Sequence, residues 1–60
     1  MKLQDLFKVI PDAERIQLMM SEFLLTGMKD SMDIMLHNDI MDCEVESVEA
    51  RSDELWVWLK

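Results

Sequence analysis

The sequence predicts an α+β fold: a small four-stranded, mostly antiparallel sheet made of two hairpins, with two short helices on one face. Three patterns carry that expectation. Residues 55–60 alternate, with Leu55, Val57 and Leu59 to one side and Trp56, Trp58 and Lys60 to the other, which is the period of a strand. Residues 13–20 alternate in the same way, Ile16, Leu18 and Met20 opposite Arg15, Gln17 and Met19. Leu3, Leu6, Phe7 and Ile10 recur instead at i, i+3, i+4 and i+7, one stripe of a helix.

Taken in order, the first helix is expected to stop at Ile10, because Pro11 has no N–H and disfavours helix at the residue before it. Two helical turns do not persist alone, so this helix must dock on the sheet. Ala13–Met20 is the first strand. Ser21-Glu22 is the tight connection, and Phe23–Thr26 the second strand, with Gly27, the only glycine, ending it. A helix through Arg15–Leu25 is the competing reading, since that run is rich in good helix formers. Met28, Met32, Met35, Leu36 and Ile40 form the stripe of the second helix, with Asp30 in its first turn and Asn38 as its stop. In the segment that follows, Cys43 and Val45 fall on one parity and Val48 and Ala50 on the other. A regular strand cannot bury both pairs, so a bulge is expected near Glu46-Ser47 unless the strand starts after it. Arg51-Ser52-Asp53-Glu54 makes the turn into the closing strand.

Sixty residues form one domain, 1–60, of a size that buries only about 60% of its extended-chain surface. A single cysteine allows no internal disulfide and fits a reducing compartment. No apolar run approaches the length of a membrane span, and the first residues are too polar for a signal peptide, so a cytoplasmic protein away from membranes is expected. Thirteen acids against six bases give a net charge of −7. That disfavours direct nucleic-acid binding, which needs Lys and Arg on phosphates, and favours encounter with a basic protein. Catalysis is not expected: there is one His, no glycine-rich phosphate loop and no nucleophile-base spacing.

Three constellations are candidates for function. The first is the outward parity of the closing strand. Trp56 and Trp58, with Met19, are too much apolar surface to leave wet on an open sheet face, which suggests a partner-binding patch or a homodimer interface. The alternative is that the indoles are the core and the helices lie on their side. The second is the acidic run Asp39, Asp42, Glu44, Glu46 and Glu49, which resembles a line of phosphates and equally serves as edge-strand protection by charge. The third is a zinc site. Asp33 and His37 are four apart on the second helix and share its face, with Asp39, Asp42 and Cys43 following; the competing reading is a solvated helix end. No other cofactor is suggested. Met28, Met32 and Met35 are read as ordinary core.

MKLQDLFKVIPD at the start, and Met41-Asp42-Cys43-Glu44-Val45-Glu46-Ser47-Val48-Glu49-Ala50 before a short apolar end, resemble small proteins carried by phages and prophages of Gram-positive bacteria. The resemblance covers the two ends of the chain. It departs at the first hairpin, where such proteins carry a Gly/Asp-rich turn and this chain has Ser21-Glu22. In size, charge and lack of catalytic residues the chain also resembles anti-CRISPR proteins that act on Cas9. The resemblance implies a non-enzymatic inhibitor in the cytoplasm of a bacterial host, which binds a basic nucleic-acid-handling protein such as Cas9 and blocks its loading or activity. The alternatives are a homodimeric structural or assembly protein and a small zinc-binding interaction domain.

Overall fold

A computed structural model describes residues 1–60. Along the chain run α1 (Leu3–Phe7), β1 (Arg15–Met19), β2 (Leu24–Met28), α2 (Lys29–Met35), α3 (Asn38–Met41), β3 (Val45–Arg51) and β4 (Glu54–Leu59). The strands form one sheet in the order β2-β1-β4-β3. Each hairpin is antiparallel, and the two meet through a parallel pairing of β1 with β4 at the centre. The fold is therefore α+β with a mostly antiparallel sheet, and the segment 15–28 is a hairpin, not a helix. No helix is long and apolar enough to cross a membrane.

The two central strands carry the core. Ile16, Leu18 and Val57 are fully buried and Leu59 nearly so, and they meet Leu3, Leu6, Phe7 and Ile10 from above and Met32 from α2. Each such side chain contributes roughly 1.5–3 kcal/mol by leaving water. Five residues of α1 could not hold a helix unaided. The segment is strapped down by main-chain bonds instead: Leu3 N–H to the Cys43 carbonyl at 2.9 Å, and Val45 N–H to the Met1 carbonyl at 2.8 Å. Lys2 thereby bridges antiparallel to Glu44.

The bulge expected near Glu46-Ser47 is present. Val45 pairs with Leu59 and Ser47 with Trp58, so Glu46 is the extra residue and the two parities of β3 are reconciled. At the other end Arg51 pairs with Glu54 across a two-residue turn. Ser52 takes a left-handed φ of 47° there, as such turns demand of a central residue.

Several expectations are corrected. The second helix is two helices: α2 ends when Leu36 turns extended (φ −75°, ψ 135°) and His37 follows it (φ −70°, ψ 156°). With the break, Leu36, Ile40 and Met41 all pack against the core. The break also leaves Met35 75% exposed. Asn38 opens α3 instead of closing α2. Helix α1 ends at Phe7, capped by Lys8, before Pro11 has any effect. Gly27 does not end a strand. It lies inside β2 with no positive φ, and an ideal Cβ there would sit in ordinary van der Waals contact with Met32, 3.5 Å from its Cε.

Candidate functional site

Residues paired across a sheet point to the same side, so the register defines the face turned away from the helices. It carries Leu24, Thr26 and Met28 from β2; Met19, Gln17 and Arg15 from β1; Trp58, Trp56 and Glu54 from β4; and Ser47, Glu49 and Arg51 from β3. Trp56, Trp58 and Met19 are thus together on the outer face, while Leu55, Val57 and Leu59 turn toward the helices. The alternation of β4 separates the two sets, and it is Val57 and Leu59, with Leu55 packed against them, that join the core under the helices.

The indoles are half-buried, and the sheet itself supplies the cover. Their ring centroids are 6.0 Å apart and tilted by 41°. The Arg51 guanidinium lies 4.1 Å from the Trp56 centroid and 5.7 Å from that of Trp58, a cation–π arrangement. Arg51 is held there by the carboxylate of Glu49. A polar ladder crosses the strands beside them. Thr26 Oγ1 donates to Gln17 Oε1 at 2.6 Å, Gln17 Nε2 donates to Glu54 Oε2 at 3.0 Å, and Trp56 Nε1 donates to Glu54 Oε1 at 3.2 Å. The bonds from Gln17 and Trp56, with the charge of Arg15, hold the Glu54 carboxyl below its usual range against the opposing effect of partial burial.

The acidic run is divided by the fold. Asp42 accepts from Gln4 Nε2 at 3.0 Å and faces Lys2 at 3.9 Å; Glu44 pairs with the terminal amino group at 3.0 Å; Glu49 pairs with Arg51. Asp39 and Glu46 have no ion pair. No continuous line of free carboxylates results. What does form is a shallow groove of about 390 Å³ beside β3, lined by Glu46, Ser47, Val48, Glu49, Arg51 and Trp58. It joins two of the sequence-predicted acids to one of the sequence-predicted indoles.

The zinc set is not assembled. Because α2 stops at Met35, Asp33 and His37 share no helical face. Asp33 instead faces Lys29 at 3.5 Å, and the Cys43 thiol donates to the Asp39 carbonyl at 3.3 Å. No group of three or more His, Cys, Asp or Glu side chains is arranged to hold a metal ion.

Sequence reasoning missed Arg51, Gln17 and Glu54. The signal for Arg51 and Glu54 was present: a two-residue turn at Ser52-Asp53 puts both on the parity of the indoles. It missed Lys29 as well, the one buried charged residue, at 8% exposure. Its ammonium meets Asp12 at 3.0 Å besides Asp33. The Asp12 hydrogen bond, with both carboxylate charges, raises its pKa despite the desolvation that opposes it. This cluster ties the loop before β1 to the start of α2 and is structural.

No protein-family model matches the chain, nor does any curated protein or solved structure.

Proposed function

We propose that the chain is a non-enzymatic, protein-binding inhibitor that lays the outer face of its sheet on a basic, nucleic-acid-handling protein. One observation carries this: Trp56 and Trp58 stand with Met19 and Leu24 on a sheet face that no helix covers, beside the groove of Glu46 and Glu49. Tryptophan in such a setting dominates binding energy, and flanking acids steer a basic partner. A standard interface takes about 800 Å² from each partner. That is about one-fifth of this chain's 4103 Å² of accessible surface, the order of one sheet face. The net charge of −7 suits a cationic target. The resemblance to anti-CRISPR proteins makes Cas9 the first partner to try.

The experiment is a guide-loaded and a guide-free Cas9 binding assay, run beside a DNA-cleavage assay, with wild type, Trp58→Ser and the double variant Glu46→Lys/Glu49→Lys. Binding by wild type and loss of at least about tenfold in affinity in both variants, with circular dichroism unchanged, is the expected result. Binding that survives both variants refutes the outer face as the docking surface. Sedimentation of wild type beside Trp58→Ser separates a homodimer from a monomer that binds another protein.

A further inference from the structure

We infer that the free edge of β3 is a strand-addition site for an extended segment of alternating apolar and basic residues. This deepens the proposed function and rests on the partner being basic. Strand β3 pairs only with β4, so its far edge is open beyond the first residue. Arg51 and Glu54 close a two-residue turn, so their main-chain groups face each other. Antiparallel ladders alternate from there. Arg51, Glu49 and Ser47 turn their N–H and C=O toward β4, and Ala50 and Val48 turn theirs outward. The Val45 N–H, on the same outward parity before the bulge, is taken by the Met1 carbonyl at 2.8 Å. The chain's own first two residues thus already add to this edge as a short antiparallel strand.

Side-chain chemistry selects the occupant. An added strand presents alternate residues to the two faces of the sheet. Those on the helix side meet Val48, 43% exposed, and Ala50, and are apolar. Those on the outer side meet the groove of Glu46, Ser47, Glu49 and Arg51; Arg51 is taken by Glu49, which leaves Glu46 as the unpaired charge there, and the residues facing it are Lys or Arg. A second copy of this chain fits worse. Pairing Val48 with Ala50 of the copy sets Glu49 against Glu49, and each chain carries a net −7. The bulge and the glutamates that blunt the edge against self-association attract a cationic strand.

The test uses the whole chain and an N-acetylated, eight-residue peptide of alternating Lys and Val. It follows peptide binding and backbone amide exchange together. The expected result is saturable binding, at least about tenfold slower exchange at Val48 and Ala50, and no change at Gln17, whose strand is paired on both sides. An analogue of equal charge, methylated at every backbone nitrogen, is expected not to bind, and Glu46→Lys/Glu49→Lys is expected to weaken the parent peptide. Three results overturn the inference. One is equal binding of the methylated analogue. Another is binding that perturbs only the Trp56 and Trp58 indoles, which leaves the proposed function standing without strand addition. The third is protection of Val48 and Ala50 in the protein alone that rises with concentration, which assigns the edge to a second copy.

Discussion

Val48 and Val57 face each other across the β3–β4 hairpin, on the helix side of the sheet. They are the same residue type in the same register pair, yet Val57 is fully buried and Val48 is 43% exposed. Truncating each to alanine therefore measures how far the helix layer extends. At Val57 the loss is two methyl groups, about 1.6 kcal/mol at roughly 0.8 per CH₂. A cavity of about 40 Å³ adds about 1 kcal/mol at roughly 24 cal/mol per Å³, for about 2.5 kcal/mol in all. At Val48 little more than half of the transfer term applies and no closed cavity forms, so the cost is at most about 1 kcal/mol. The intrinsic loss of β-branching is common to both. A chain of this length has total stability of roughly 3–9 kcal/mol, so the first change is severe and the second mild. Urea unfolding followed by tryptophan fluorescence reads both, since the two indoles sit on β4. Equal costs at the two positions, with m-values unchanged, refute the picture of a core confined to the central strands and, with it, an open inner side at β3.

Three further outcomes follow from the titrating groups and the turn. Glu54 has a depressed pKa, so its stabilisation is complete above the unfolded value of 4.5 and is lost as pH falls through the folded one; wild type is expected to lose more stability between about pH 5 and about pH 3 than Glu54→Gln does, by urea midpoints. Lys29 has a raised pKa, so its stabilisation is complete below 10.5 and is lost as pH rises through the folded value; Lys29→Met is expected to flatten that alkaline loss. Ser52 bears the left-handed φ of 47°, so Ser52→Gly is expected to raise stability by about 0.5–1 kcal/mol in the same unfolding assay.

The parts of the fold legible in the sequence are those governed by strict period. Alternation at Leu55–Leu59 and at Ile16–Met20 identified the central strands and the side on which each residue lies, because a one-residue slip inverts a whole strand. The clash of parity between Val45 and Val48 located the bulge for the same reason. What was not legible depends on contacts distant in sequence. The run from Met28 to Ile40 has good helical spacing, and nothing local says that Leu36 turns extended; that is decided by Ile40 and Met41 reaching the core beneath α1. Lys29 reads as a surface residue with an ordinary Asp33 four positions on, until the loop carbonyl of Glu14 and the carboxylate of Asp12 close around it. The acids from Asp39 to Glu49 read as one strip, and became a divided set because the N-terminal amino group takes Glu44, Lys2 and Gln4 share Asp42, and Arg51 takes Glu49.

The uncovered sheet face follows from an imbalance between layers. Helices of five, seven and four residues lie on one side of four strands. They suffice to seal the centre, where β1 and β4 run parallel, and leave the outer side and the β3 edge without a protein partner within the chain. An isolated pair of indoles on such a surface favours aggregation. Here Arg51 lies over both rings, Glu54 accepts from the Trp56 N–H, and the Thr26–Gln17–Glu54 ladder keeps the neighbouring strand wet. Each of these contacts lies at or near the surface, where exchange with a partner's own donors and cations costs little. The same residues that shield the indoles are therefore the ones that, under the proposed function, a cationic partner would displace, whereas Leu3, Phe7, Ile16, Leu18 and Val57 lie in the buried layer.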